Sequence, residues 1–70
     1  MREVAIKTEF IKLDQLLKWA GIVGDGGEAR YHILEGNVLV NGEVEKRRGK
    51  KIYENDIIEL DGEKIKIVRG

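Results

Sequence analysis

The sequence predicts an α+β fold in which two helices pack against a small, mostly antiparallel sheet of short strands. Apolar residues recur every three or four positions in two stretches of the first half, as they do on the buried face of a helix. In the second half they alternate with polar residues, which is typical of strands with one buried side. Asn-Gly and Asp-Gly pairs lie between these later stretches and indicate hairpin turns. Seventy residues predict one domain, residues 1–70.

The first half begins with a strand and continues into a helix. Alternation over Glu3 to Lys7 predicts the strand, and a helix is predicted from about Lys12. Its start has two interpretations, because Thr8 could cap a longer helix while Phe10 and Ile11 could extend the strand. The apolar stripe of this helix consists of Leu13, Leu16, Leu17 and Ala20, and Gly21 follows where a left-handed residue would end it.

A second helix is predicted after a glycine-rich stretch. Asp25 and Glu28 have the spacing of a capping box, with Asp in place of the usual Ser or Thr. Ala29 and Ile33, together with Tyr31 or His32, supply the buried side, and Gly36 closes the helix.

Four short strands are predicted after the second helix, joined as an antiparallel meander. Asn41-Gly42 and Asp61-Gly62 mark two hairpin turns, and residues 54–56 mark a third turn. The apolar residues that define these strands are Val38, Val40, Val44, Ile52, Ile57, Leu60, Ile65 and Ile67.

The composition argues against an enzyme. The chain has no Ser, no Cys and one Thr, so the usual hydroxyl and thiol nucleophiles are nearly absent. His32 is the only histidine, and no second histidine or cysteine accompanies it as a metal ligand. We therefore predict no catalytic residue, no metal, no cofactor and no small-molecule substrate. No apolar run is long enough for a membrane span, which predicts a cytoplasmic protein.

One short segment of the chain is unusually rich in positive charge. The chain is formally neutral, with 13 basic and 13 acidic residues, yet five of the basic ones lie within six positions. This basic segment, Lys46 to Lys51, reads KRRGKK and contains Lys46, Arg47, Arg48, Lys50 and Lys51. Like charges this close repel one another, and arginine forks suit phosphate oxygens, so a polyanion is the predicted partner. A solvated loop that joins two strands is the alternative explanation. Gly49 would let the backbone approach a ligand or take a positive φ.

The start of the second helix offers a second anion site. Gly26 and Gly27 leave backbone amides uncovered by side chains at the end where the helix dipole favours negative charge. Arg30 lies one turn further along the same helix. A tight turn is the alternative explanation for the glycine pair.

Two longer stretches resemble a known family. "KLDQLLKWAG" and "GGEARYHILEGNVLVNGEVEKRRGKKIYENDIIEL" are similar to the S4-type RNA-binding domain, with a basic residue and Leu-Asp opening the first helix and Val-x-Val-Asn-Gly after the second. Within that family the chain resembles the short stand-alone bacterial proteins, which carry Gly-Gly-x-Ala and a motif present here as Asn41 to Lys51. The resemblance covers residues from about Glu9 to Leu60.

The resemblance implies the αL fold and binding to structured RNA, ribosomal or transfer RNA, by a ribosome-associated protein of translation. The helix pair and the adjoining hairpin loop would form the RNA surface. By position, the residues implied are Lys12, Arg30, Arg47, Arg48, Lys50 and Lys51, whereas Lys46 is not fixed by the pattern. The chain departs from the pattern at Gly26, where relatives often have Ser or Thr, and at His32, where relatives are usually apolar.

Two other classes stay open at this point. The second half followed by Gly70 also resembles a β-grasp sulfur carrier, although those proteins end in Gly-Gly and lack the two-helix first half. A protein-binding module whose basic segment meets an acidic partner is the other alternative. The sequence does not define an oligomeric state, since an edge strand could pair with a second copy.

Overall fold

The computed structural model describes residues 1–70 and contains seven strands and two helices. The first half holds β1 (Arg2–Ile6), β2 (Phe10–Lys12), α1 (Leu13–Trp19) and α2 (Gly26–Leu34). The second half holds β3 (Val38–Val40), β4 (Glu43–Val44), β5 (Lys51–Tyr53), β6 (Ile57–Leu60) and β7 (Glu63–Arg69). The predicted α+β class with two helices and a mostly antiparallel sheet is confirmed.

Five of the strands form one sheet in the order β1-β7-β6-β3-β4. Its pairs are antiparallel except for β1, which runs parallel to β7 with Val4 opposite Ile67. Val4, Ile65 and Ile67 are buried, whereas Lys64 is exposed on the other side of its strand. The alternation of side chains along each strand thus gives the sheet one core face and one solvent face.

The predicted continuous meander is wrong at one strand. β5 leaves the main sheet and pairs antiparallel with β2, so that Ile11 lies opposite Ile52 and Lys12 opposite Lys51. Ile52 is fully buried, which fixes the inner face of this two-stranded ribbon against the core. β6 instead pairs with β3, with Val40 opposite Ile58. The apolar pattern indicated where strands lie, but it carried no information about their partners.

Both helices pack on the core through the apolar stripes predicted for them. Leu13, Leu16 and Leu17 of α1 and Ala29 and Ile33 of α2 are all fully buried. They belong to a core cluster of 16 residues that also includes the inner faces of both sheets. Neither helix has the length and apolar character that crossing a membrane requires.

The predicted ends and turns are confirmed by the backbone. Gly21 and Gly36 have φ of 72° and 78° after their helices, and the Asp25 carboxylate accepts a hydrogen bond from the Glu28 amide at 2.8 Å. Asn41 and Gly42 both have positive φ, at 52° and 85°, as do Asp61 and Gly62 at 53° and 80°. Two consecutive positive φ values are what a tight hairpin turn matched to strand twist requires.

The first helix begins at Leu13, and the three residues before it form β2. The alternative in which Phe10 and Ile11 are extended is therefore the one found, and Thr8 does not cap a longer helix. Trp19 at the other end of α1 is 63% exposed, and its indole nitrogen donates to the Ala5 carbonyl at 2.9 Å.

Candidate nucleic-acid interface

The basic segment is held against the protein by its own backbone. Immediately before it, the Glu45 amide donates to the Val38 carbonyl at 3.0 Å. In its middle, the Lys50 amide donates to the Arg47 carbonyl at 3.1 Å and closes a turn. Two amides of α1 then donate to the segment's carbonyls, Leu13 to Lys50 at 2.9 Å and Asp14 to Arg48 at 3.1 Å. Because its carbonyls face the start of α1, the segment satisfies two helix amides that have no partner within the helix.

One cation of the segment is neutralised by a neighbouring carboxylate. The Arg47 guanidinium donates to both oxygens of Glu45, at 2.9 and 3.1 Å, and the Arg47 backbone amide donates to the same carboxylate at 3.1 Å. These bonds lower the pKa of Glu45 to about 2, and the hydrogen bond from Glu45 raises the pKa of Arg47. The Arg47 side chain is nevertheless 72% exposed, so the pair lies at the surface.

A shallow depression joins the second helix to the basic segment. Its lining consists of Arg30 and Leu34 from α2 with Lys46, Arg47 and Arg48, and it contains no carboxylate. We call it the α2 depression. The stem of Lys46 is positioned by the end of α2, because a Cβ atom placed on Gly36 would lie 3.4 Å from the Lys46 Cε atom. Arg30, predicted from the helix, thus lies on the same surface as the predicted basic segment.

A second depression lies on the other side of Arg47. Its lining consists of Arg47, Gly49, Lys50, Lys51 and Tyr53, again without a carboxylate. We call it the β5 depression. Lys12 lies across the ribbon from Lys51, so the basic residue at the start of α1 is next to the segment. Lys12 occupies the N-cap position and makes no side-chain cap bond, an unfavourable place for a cation with respect to helix stability.

The surface beyond the β5 depression has mixed charge. A third depression contains Arg47, Lys50 and Lys51, but also Glu43, Glu45 and Asp56. We call it the acidic depression. Its carboxylates would repel a phosphate, so the two depressions without carboxylates form the part of the surface best suited to an anion.

The glycines at the start of α2 lie apart from these depressions. Neither Gly26 nor Gly27 lines a depression that contains the basic segment. Their amides are in the first helical turn, but a Cβ atom on Gly27 would lie only 3.4 Å from the Asp25 carboxylate. The Glu28 side chain also accepts from the Gly24 amide at 2.8 Å. An external anion would therefore meet two carboxylates there, and the anion site at Gly26 and Gly27 stays a prediction.

Several features of this surface were not predicted. The positive φ suggested for Gly49 is wrong, since its backbone is not in the left-handed region. An aromatic pair, Phe10 and Tyr53, lies directly opposite across the ribbon with ring centroids 5.9 Å apart. His32 packs at the edge of Tyr31, and its Nδ1 atom lies 3.1 Å from the side-chain nitrogen Nδ2 of Asn37. No group of three or more His, Cys, Asp or Glu side chains is arranged to hold a metal ion.

Comparison with known proteins places the chain in a family. The family model of the S4 domain matches residues 4–68. The chain belongs to the S4 domain family. This confirms the resemblance carried by the two stretches quoted above.

The relatives of this S4 domain chain include short proteins and part of a longer one. It is 44% identical over 59 residues to the probable ribosome maturation protein RlbA of Bacillus subtilis (strain 168), covering 84% of this chain and 83% of that protein. It is 34% identical over 62 residues to YbcJ of Escherichia coli (strain K12), covering 89% of each. An uncharacterized RNA pseudouridine synthase of Aquifex aeolicus (strain VF5) is 42% identical over 57 residues, 80% of this chain but only 22% of that enzyme.

A solved structure supports the same assignment. The solution structure of Escherichia coli YbcJ, described as revealing an αL motif involved in RNA binding, matches with a TM-score of 0.69 and 31% sequence identity. The match covers 96% of this chain and 84% of that one. The predicted αL architecture of the S4 domain chain is therefore confirmed.

Proposed function

We propose that this protein is a non-enzymatic, cytoplasmic RNA-binding protein that recognises structured RNA. Ribosomal RNA or transfer RNA is the proposed class of target, with the ribosome as a partner. The proposed surface consists of the α2 depression and the β5 depression, together with Lys12 at the end of β2. Its residues are Lys12, Arg30, Lys46, Arg47, Arg48, Lys50 and Lys51.

The observation that carries this proposal is the shared α2 depression. Arg30 is 16 residues from Lys46 in the sequence, yet the fold places both, with Arg48, around one carboxylate-free surface. Holding cations together costs electrostatic repulsion, which an RNA backbone would relieve by neutralising them. Core packing does not explain the grouping, because all three side chains are exposed.

The chemistry of the surface fits recognition by shape rather than by sequence. Base edges in the deep major groove of an RNA helix are inaccessible to side chains, so proteins contact the phosphates and 2′-hydroxyls. Lysine and arginine side chains around shallow depressions can make such contacts along a backbone. Because phosphates and 2′-hydroxyls are the same in every RNA sequence, we expect the protein to bind RNA with modest sequence specificity.

Relatives support the same function. The YbcJ structure is described as having a motif involved in RNA binding, and RlbA is named as a probable ribosome maturation protein. The Aquifex enzyme carries its similarity to this chain in about a fifth of its length, which fits an RNA-binding module attached to a separate catalytic part. We therefore assign no pseudouridine synthase activity to this chain.

A binding experiment with a charge-matched control tests the proposal. The wild type, the double variant Arg30→Ala/Arg48→Ala and the control Lys64→Ala/Lys66→Ala are titrated into a fluorescein-labelled RNA hairpin, read by fluorescence anisotropy. Both doubles remove two positive charges, but Lys64 and Lys66 lie on β7 and line none of the three depressions. Removing two phosphate contacts should weaken binding roughly 15- to 30-fold at about 150 mM salt, from the counterion-release relation.

The control should bind within about twofold of the wild type, because Lys64 and Lys66 do not line the proposed surface. General electrostatics, by contrast, would weaken both doubles alike. Equal losses in the two doubles would contradict a localised RNA surface. No binding of the wild type to hairpin or transfer RNA would refute the function itself.

The sulfur-carrier alternative is not favoured by the structure. Gly70 donates its amide to the Ile6 carbonyl at 3.1 Å, and a Cβ atom placed on it would lie 3.0 Å from the Ala5 Cβ. Its backbone is thus held against β1, whereas a carrier must thread its final carboxylate into another enzyme.

An acidic protein partner is distinguished from RNA by crosslinking in cells, followed by sequencing of attached RNA.

A further inference from the structure

The ribbon of β2 and β5 carries an aromatic surface beside the cations. Phe10 and Tyr53 are cross-strand partners, and Lys12 and Lys51 are the next pair on the same face, since Ile11 and Ile52 point to the core side. The Lys51 amine lies over the Phe10 ring, 4.7 Å from its centroid. Phe10 is half-buried by these neighbours, whereas Tyr53 remains 43% exposed.

Tyr53 is held in place by its backbone. Its amide donates to the Asp56 carboxylate at 2.8 Å, and its carbonyl accepts from the Asp56 amide at 3.1 Å. The Phe10 ring supports it from the opposite strand at a centroid distance of 5.9 Å. An aromatic ring fixed in this way on a strand can act as a stacking surface without first having to be ordered.

Tyr53 also lies at the boundary between two electrostatic environments. It lines both the β5 depression and the acidic depression, which share Lys50 and Lys51, but only the acidic depression also includes the carboxylates of Glu43 and Asp56. A phosphate is therefore best placed in the β5 depression, whose lining contains no carboxylate, while a neutral base is compatible with both. A nucleotide bound here would place its phosphate at the lysines and its base on the Tyr53 ring.

We propose that Tyr53 stacks on an unpaired base, so that the RNA recognised is a helix with an unpaired nucleotide beside it, such as a bulge or a helix end. This inference rests on the proposed RNA-binding function. Within a helix every base is already stacked on its neighbours and is not available to a protein ring, whereas a splayed base is. The basic depressions would hold the helix backbone and Tyr53 would select the junction.

Two RNAs that differ in one nucleotide test the inference. One is a fully paired hairpin and the other contains a single unpaired 2-aminopurine, whose fluorescence reports stacking. We expect the wild type to prefer the second RNA and to change the 2-aminopurine signal. Tyr53→Ala should lose roughly 5- to 150-fold in affinity for that RNA, the range for stacking on one base, and little for the paired hairpin.

Two further variants control for the ring and for folding. Tyr53→Phe should retain the preference because it keeps the stacking surface. Tyr31→Ala removes a tyrosine that is 60% exposed on α2 and lines none of the three depressions, so it should bind both RNAs as the wild type does. If circular dichroism shows that Tyr53→Ala does not fold, stacking is tested by the 2-aminopurine signal of the wild type and of Tyr53→Phe instead.

The outcomes separate this inference from the function on which it rests. Equal affinity of the wild type for both RNAs, or equal losses for both in Tyr53→Ala, would overturn the stacking role while leaving RNA binding intact. An unchanged 2-aminopurine signal on binding would overturn it as well. If the wild type bound neither RNA, the proposed function would fail and this inference with it.

Discussion

Raising the salt concentration should weaken RNA binding by an amount that the structure defines. Each cation that neutralises a phosphate releases a counterion, so the logarithm of the affinity falls linearly with the logarithm of the salt concentration. Five residues line the α2 and β5 depressions as cations without a carboxylate partner: Arg30, Lys46, Arg48, Lys50 and Lys51. Arg47 is not counted, because Glu45 already neutralises it, and Lys12 is not counted, because it lines neither depression.

Five contacts give a slope of roughly −3.5 to −4.5, taking about 0.7 to 0.9 per phosphate. Between about 50 and 200 mM salt, the affinity should therefore fall roughly 100- to 500-fold. Fluorescence anisotropy of a labelled RNA hairpin, repeated at several potassium chloride concentrations, measures the slope directly.

Single variants then test the count. Arg48→Ala should reduce the slope by about 0.7 to 0.9, and Lys64→Ala, on the solvent face of β7, should leave it unchanged. Glu45→Gln frees Arg47 for a phosphate and should make the slope steeper by the same amount, about 0.7 to 0.9. A wild-type slope shallower than about −2, or a Glu45→Gln slope no steeper than that of the wild type, would refute the reasoning.

Three further predictions concern stability. The hydrogen bonds to Arg47 lower the pKa of Glu45 from 4.5 to about 2, so the contribution of this pair to stability is present above the unfolded pKa and is lost as the pH falls towards 2. In a plot of melting temperature against pH, Glu45→Gln should therefore show a smaller decrease at acid pH than the wild type. The same decrease in both proteins would count against the pair. Asp25→Ala removes the cap of α2 and should cost about 1 kcal/mol in urea denaturation, whereas an Asn there should cost less. Ile52→Ala creates a cavity at a fully buried site and should cost about 2 to 5 kcal/mol, so that a loss well below 1 kcal/mol would show that β5 is not packed as described.

Local features of the fold were predictable because their causes are local. A residue pair such as Asn41-Gly42 tolerates two positive φ values, so the hairpin could be located from two letters of sequence. The Asp25 cap and the glycines after each helix have the same kind of local cause. Strand partners do not, because the pairing of β2 with β5 and of β1 with β7 joins distant parts of the chain. An apolar alternation fits many partners equally well.

The candidate site divides along the same line. Its cationic residues were proposed from charge density and from the family resemblance. The structure places Arg30 in one depression with the start of the basic segment, and Lys12 opposite Lys51 at its end. The Arg47–Glu45 pair was not predictable. Side chains two positions apart in an irregular segment have no fixed relative geometry until the backbone conformation is known. The aromatic pair of Phe10 and Tyr53 was not predictable either, because it depends on the unpredicted pairing of β2 with β5.

The bonds that tie the carbonyls of Arg48 and Lys50 to the first amides of α1 have a thermodynamic consequence. A flexible basic tail loses backbone freedom when it binds, and this loss of about 1 to 2 kcal/mol per ordered residue is subtracted from its affinity. Here folding has already fixed that backbone, so the proposed RNA surface would be preorganised and mainly lysine and arginine rotamers would remain to be ordered on binding. Binding of RNA to the folded protein should therefore carry a smaller entropic penalty than binding of RNA to a disordered peptide with the same six residues, 46–51.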